Sequence, residues 1–149
     1  MRAILITILT AMTPVLELRA AIPAGTAAGL EPWQAFIIAC IANMIPVPFI
    51  ITFARRVIII LRRRYRKLNS FLLRIQNRAK KKGKIIRDYE MLGLIILVAI
   101  PLPGTGAWTG ALAAAMMKLD LKSAVLSIAA GVLIAGLIVM AITYGVVNI

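Results

Sequence analysis

The sequence predicts an all-α integral membrane protein built as an inverted repeat. Two re-entrant helical hairpins are each followed by a transmembrane helix, and a long basic cytoplasmic helix joins the two units. Three observations predict this. Of 149 residues, 62% are hydrophobic and 15% charged, against about 45–50% and about 25% in soluble domains. Two apolar blocks are long enough to cross hydrocarbon, which takes ~20 residues. Two others are interrupted by proline and glycine at matching places. The composition excludes a cytosolic globular enzyme and a disordered chain, and the length suits a single membrane domain, residues 1–149.

The first unit covers residues 1–61. Its opening apolar block, residues 3–13, follows Arg2 as the core of a signal peptide would. It lacks a small-x-small cleavage site, however, and Thr13-Pro14 follows at once. Pro14 ends the block, Glu17 and Arg19 come next, and a small-residue stretch containing Pro23 runs to Gly29. Residues 3–29 are therefore long enough to cross but are broken midway, which predicts a re-entrant hairpin. In lipid a broken backbone survives only where protein or water satisfies it. Residues 33–61 then form a span. Asn43 lies mid-span, ahead of Pro46-Val47-Pro48, and those prolines kink the helix or free a carbonyl.

The charge is concentrated between the units. There are 18 Lys+Arg against 5 Asp+Glu, a net of +13. Fourteen of the cations lie between Arg55 and Arg87, a stretch with no acid. Such a run can bind nucleic acid. Beside membrane spans it sits on the cytoplasmic face against anionic head groups, so membrane lipids are the expected partner and nucleic acid is not. The expected lipid contacts are Arg62, Arg63, Arg64, Arg66, Lys67, Lys80, Lys81, Lys82 and Lys84. Leu61, Tyr65, Leu68, Leu72, Ile75, Ala79, Lys82 and Ile86 step by alternate fours and threes, a heptad seam apolar but for Lys82. On a helix over 62–88 it serves a homo-oligomer, dimer or higher, or lies on the lipid surface. Gly83 marks an end or bend.

The second unit covers residues 91–147. Its hairpin, residues 91–117, breaks at Pro101-Leu102-Pro103-Gly104-Thr105-Gly106, and residues 121–147 form the second span. Shifted by 89, the first unit puts Pro14 on Pro103 and Glu31 on Asp120, and its span on the second without a gap. If both hairpins return to their own side, the termini lie outside the cytoplasmic membrane and residues 62–88 inside. The turn carrying Lys118 and Lys122 is then cytoplasmic, and the units have opposite orientations. The rival topology makes both interrupted elements full crossings, with four spans, an inner C-terminus and that turn outside.

Inverted repeats with broken helices at mid-membrane are the pattern of secondary transporters. The half-helices after Pro14 and Gly104 would present free N–H groups and partial positive charge near the membrane middle. Arg19 adds a bidentate fork for phosphate or carboxylate. Glu17 is the deepest acid, and intramembrane ionisable groups are functional by default. Its other reading is a helix cap, pairing with a backbone N–H or with Arg19. At i and i+2 the two do not face each other on a helix, so each is expected to find a partner in the other hairpin. Trp108, after the second break beside Thr105, either walls a cavity or anchors at the interface. Asn43 is a helix–helix hydrogen bond or a ligand contact. Gly131 and Gly136 allow close helix packing. The chain has one cysteine, Cys40, and no histidine, so no disulfide, metal site or cofactor is expected, and no catalytic constellation emerges.

Two motifs carry a resemblance: Pro14-Val15-Leu16-Glu17-Leu18-Arg19-Ala20-Ala21-Ile22-Pro23, and Pro101-Leu102-Pro103-Gly104-Thr105-Gly106-Ala107-Trp108. With them the chain resembles, over essentially its whole length, the small multidrug export proteins of bacteria and archaea. That family looks like a remote relative of the DedA/VTT membrane proteins, which include human autophagy scramblases. The resemblance implies facing re-entrant hairpins and the transport or scrambling of lipids such as polyprenyl phosphates. Carried over by motif, Glu17 and Arg19 match the charged residues of the first hairpin, and Pro103, Gly104 and Gly106 its partner. One departure is that the second hairpin has no charged residue, only Thr105 and Trp108.

Three functions follow. One is a transporter or flippase of an anionic amphiphile such as a lipid phosphate, acting at Glu17, Arg19 and the hairpin breaks. Another is a proton-coupled multidrug exporter using Glu17. The last is a non-transporting scaffold assembled through the basic helix.

Overall fold

A computed structural model describes residues 1–64, 70, 83–102 and 104–147. The described residues are helical, with no strand among them. Their helices are α1 (Arg2–Met12), α2 (Glu17–Ala27), α3 (Pro32–Met44), α4 (Val47–Arg64), α5 (Gly83–Ala99), α6 (Ala107–Met117) and α7 (Leu121–Val147).

Length separates two kinds of helix. The stretch Pro32–Leu61 has 30 residues and Leu121–Val146 has 26, and both are apolar enough to cross a membrane. Helices α1, α2 and α6 have 11 residues each, about 16 Å at 1.5 Å per residue. That is about half of a ~30 Å hydrocarbon core. The span predicted over 33–61 is two helices rather than one. Pro46 and Pro48 have no N–H to continue the ladder, and the backbone steps across the joint through Ile45 N–H to Ala42 O (3.3 Å) and Ile50 N–H to Pro46 O (2.9 Å). The second hairpin's first helix begins at Gly83 rather than Met91. Charge at Arg87, Asp88 and Glu90 ends an apolar block but does not end a helix.

The helix ends are specified locally. Pro32 occupies the first turn of α3, and Glu31 caps it. Its carboxylate accepts the Gln34 N–H, and its own N–H donates to Gln34 Oε1 at 3.3 Å, a reciprocal capping box. Helices α2 and α6 both end in a Schellman turn. Leu30 N–H reaches Gly25 O and Gly29 N–H reaches Thr26 O, both at 3.0 Å. Leu119 N–H reaches Ala114 O at 3.2 Å and Lys118 N–H reaches Ala115 O at 3.3 Å. The turning residues, Gly29 and Lys118, both have positive φ (101° and 56°).

Helices α1, α2 and α3 pack on one another, and so do α5, α6 and α7. Between the groups, α2 and α3 pack on α7, and α4 packs on α6 and α7. Small residues allow these approaches, as is usual between helices in lipid. A Cβ on Gly110 would lie 2.6 Å from Val98 Cγ2, and one on Gly136 2.7 Å from Phe36 Cε2. The interior is lined by alanines such as Ala11, Ala35, Ala107 and Ala111, while Phe49, Phe53 and Ile142 face outward. Trp33 and Tyr144 line one groove, at the start of the first span and near the end of the second. At the other end Arg55 donates to Leu119 O. The two spans therefore run antiparallel.

The predicted site residue Pro103, the lipid contacts Arg66, Lys67, Lys80, Lys81 and Lys82, and the heptad positions from Tyr65 to Lys82 lie outside the described residues. Arg62, Arg63 and Arg64 close α4, and Lys84 opens α5.

Glycine packing is testable at two sites on α7. A Cβ at Gly131 would lie 2.6 Å from Val98 Cβ and 2.9 Å from the Ile95 carbonyl. Gly131→Val is expected to cost about 1–3 kcal/mol by overpacking. A Cβ at Gly145 meets nothing within 4 Å, so Gly145→Ala is expected to gain about 0.5–1 kcal/mol of helix propensity. Thermal unfolding in detergent reads the difference as a fall and a small rise in Tm.

Candidate functional site

The tips of the two helix pairs meet. The break after α1 is a tight turn over residues 13–16, held by Thr13 Oγ1 to Thr10 O (2.7 Å) and Glu17 N–H to Thr13 O (3.2 Å). The break after α5 is longer, residues 100–106, and is partly tied by Thr105, whose hydroxyl meets Ile100 O (2.7 Å) and Leu102 O (2.9 Å). Thr109 Oγ1 adds a bond to Gly104 O at 2.8 Å. A helix break leaves orphan N–H groups at one end and orphan carbonyls at the other. The first pair of helices supplies what the second break lacks.

Glu17 opens α2 and is 5% exposed. Its Oε2 accepts the Ala107 N–H at 3.2 Å and its Oε1 the Trp108 N–H at 3.1 Å. These are the first two residues of α6, so the carboxylate caps a helix of the other pair, where the dipole favours negative charge. Arg19, two residues further into α2, does the converse. Its Nη2 donates to the carbonyl of Thr105, to Thr105 Oγ1 at 3.0 Å and to Ile100 O at 3.3 Å. Each charge also feels the other's field, but its hydrogen bonds go to the other helix pair.

Two backbone features make room for this. Glu17 has φ +48°, a left-handed conformation that costs a non-glycine residue about 1–2 kcal/mol. Gly106 precedes α6, and a Cβ there would overlap Glu17 Oε2 and lie 2.7 Å from Glu17 Cδ. Only glycine lets the carboxylate lie against the start of α6.

The remaining expected site residues are placed as follows. Thr105 and Trp108 join the contact, Thr105 through Arg19 and Trp108 through its backbone N–H, while the buried Trp108 Nε1 has no partner. Pro101 and Gly104 shape the break, Gly104 with φ +86°. Pro14 lies exposed in the first turn. Pro23 is inside α2 on an exposed face, and no contact brings it to the charged pair. Asn43 is fully buried in the last turn of α3, and neither of its side-chain polar atoms has a partner. Arg55 is a residue the sequence reading passed over as one more cation of the basic run. Its guanidinium turns inward to Leu119 O, where α6 hands over to α7. Its one distinguishing signal is position, inside the apolar block, where residues 57–61 separate it and Arg56 from the next cation.

Beside this contact lies an open groove of about 880 Å³. It is bounded by Met12, the α3–α4 joint, the outward face of α4 as far as Arg56, and Trp108. Among the described residues no group of acids or cysteines is arranged to hold a metal ion.

The Glu17–Gly106 contact predicts a non-additive pair. Gly106→Ala is expected to lower stability by about 1–3 kcal/mol through overlap with Glu17, on top of a positive-φ strain that it shares with Gly104→Ala, whose added methyl meets open space. With Glu17→Ala already in place, Gly106→Ala is expected to cost less, retaining only the backbone strain of φ +156°, which gives a coupling of about 1 kcal/mol or greater in a double-mutant cycle on Tm.

Searches of curated proteins and of solved structures found no match for this chain. A family model does match it, over residues 17–138, from Glu17 through most of the second span. The chain thus belongs to the family described as "Putative small multi-drug export protein".

Proposed function

We propose that the protein moves an anionic amphiphile, such as a lipid phosphate, across the membrane at the meeting point of the two interrupted helix pairs. The observation that carries this is the carboxylate of Glu17 on the N–H groups of Ala107 and Trp108. The start of α6 is an anion site that the protein fills with its own anion. A phosphate or carboxylate of a substrate has the chemistry to exchange with Glu17, and Arg19 stands beside it with a fork suited to the same groups. The adjoining groove carries Arg56 and no acid. The family is named for export, not for catalysis.

In this reading each hairpin is re-entrant and the two units form an inverted repeat. The Arg55–Leu119 contact supports it, because it holds the end of the first span and the turn after α6 at one side. With the spans antiparallel, α5 and α6 go in and come back. The offset of 89 also recurs in hydrogen bonds. Gly29–Thr26, Leu30–Gly25 and Ala35–Glu31 have counterparts in Lys118–Ala115, Leu119–Ala114 and Ala124–Asp120. On the same offset Glu17 corresponds to Gly106, the residue its carboxylate touches. Residues related by a two-fold axis meet when they lie on it, and only one of the two can then carry a side chain. The termini are outside on this proposal, and the basic segment is inside against anionic lipid.

A second reading, export of a cation, has one observation in its favour. Glu31, Trp33 and Tyr144 line a groove of about 550 Å³ at the other end of the molecule, and aromatic faces with a carboxylate suit an organic cation.

Reconstituted vesicles distinguish the readings. A fluorescent lipid phosphate is expected to cross, and Arg19→Ala and Glu17→Gln each to slow it about tenfold or more, which takes only about 1.4 kcal/mol on the barrier. Unchanged rates in both folded variants, or transport of cationic dyes alone, overturn the proposal. Topology has its own test, because the native Cys40 is buried. A membrane-impermeant maleimide added to intact cells is expected to label Gly145→Cys but not Lys122→Cys. Labelling of Lys122→Cys from outside means that the second hairpin crosses.

A further inference from the structure

The groove beside the hairpin contact has a length, a polarity and a charge that together define an occupant. Its wall is apolar from Ile45 through Phe49 and Phe53, and Trp108 closes its inner end. Phe49 and Phe53 are 72% and 71% exposed, so the groove opens outward, to hydrocarbon in a membrane. The one hydroxyl on its wall, Thr52, is already bonded to Pro48 O at 2.8 Å. Among the described residues, the one charge on its wall is Arg56. Arg55, its neighbour, is turned inward to Leu119 O, so the two arginines, followed by the last five residues of the apolar block, have divided roles.

The dimension matters most. Ile45 and Arg56 are eleven residues apart along the span, about 16 Å at 1.5 Å per residue. That is half of a ~30 Å hydrocarbon core, the thickness of one leaflet. The groove runs from the middle of the membrane to its edge, with its cation at the edge. A lipid tail lying in it puts its head group at Arg56, and with no acid on the wall the head group it suits is an anionic one.

We propose that this groove docks one anionic phospholipid of the leaflet on the Arg56 side. The phosphate lies on the Arg56 guanidinium. One acyl chain runs along Phe53, Phe49 and Ile45 and ends against Trp108. The docking requires a membrane-embedded chain but not transport, and it stands whether the lipid is moved or only held.

Trp108 is a built-in reporter, since the chain has two tryptophans. The other, Trp33, stacks on Phe36 with ring centroids 5.7 Å apart, and Trp33→Phe keeps an aromatic ring there. The full chain carrying Trp33→Phe is reconstituted in phosphatidylcholine vesicles. Trp108 fluorescence is then quenched with either bromo-acyl phosphatidylglycerol or bromo-acyl phosphatidylcholine at equal mole fraction. The anionic lipid is expected to win by about fivefold in relative affinity, the effect of one basic side chain at a lipid head group. Arg56→Gln is expected to remove that preference and Arg56→Lys to keep it. Arg63→Gln, a change on the exposed last turn of α4, is expected to leave it intact. Equal quenching by the two lipids overturns the proposal. So does a preference that survives Arg56→Gln, or one that falls equally with Arg63→Gln, which would be a general attraction to the basic surface.

Discussion

A helix break frees N–H groups at one end and carbonyls at the other, and in a buried site these need protein partners, a constraint that the centre of this molecule answers. The break between α5 and α6 frees N–H groups at Ala107 and Trp108 and carbonyls at Ile100 and Thr105. The protein meets the donors with a carboxylate and the acceptors with a guanidinium, both from α2. Glu17 and Arg19 are complementary to the two ends of one break. This accounts for a second break with no charged residue of its own. Its polar demand is met from the first hairpin, whose own break is short enough to be closed by Thr13 and the backbone.

The arrangement is bought with local cost. A buried carboxylate is unfavourable, and so is a non-glycine residue at φ +48°. Hydrogen bonds to charged groups contribute about 1.5–3 kcal/mol each, enough to offset a left-handed residue at about 1–2 kcal/mol. Between the tips, α2 meets the start of α6 through these contacts, while the packing of α2 and α3 on α7 and of α4 on α6 and α7 joins the two groups elsewhere. Strain of this kind at a polar contact is characteristic of sites that change.

The sequence made some of this legible and hid the rest for physical reasons. The breaks at Pro14 and at residues 101–106 were legible because proline and glycine act on their own backbone. The spans were legible because apolar length is a local property. The partners of Glu17 and Arg19 were narrowed to the other hairpin by helix geometry, since i and i+2 diverge. They could not be named, because a side chain meeting a backbone group 81 to 91 residues away leaves no local pattern. Arg55 was hidden among fourteen cations, and only the fold separates the one that turns inward. Pro23 was read into the site with its motif, yet α2 runs through it with the ring facing outward. The start of α5 was placed eight residues late because hydropathy marks where lipid contact begins, not where a helix does.

The distribution of charge also bears on which substrate sign the site can serve. The start of α6 already holds a carboxylate, so opening the contact without a replacement leaves two N–H groups unsatisfied in a dry site. At about 1–3 kcal/mol for each lost partner, the separated state of the hairpins is rare on its own. An incoming anion removes that penalty, because it takes the place Glu17 vacates, and the exchange becomes nearly even. A cation attracted to Glu17 does the opposite. It stabilises the carboxylate but leaves the N–H groups of Ala107 and Trp108 bare, and it meets Arg19 at the same point. Differential binding of the two hairpin arrangements is the only means by which a ligand shifts them. By that criterion the proposed working ligand at this contact is an anion, and the aromatic groove around Glu31 is the place where a cation would have to act instead.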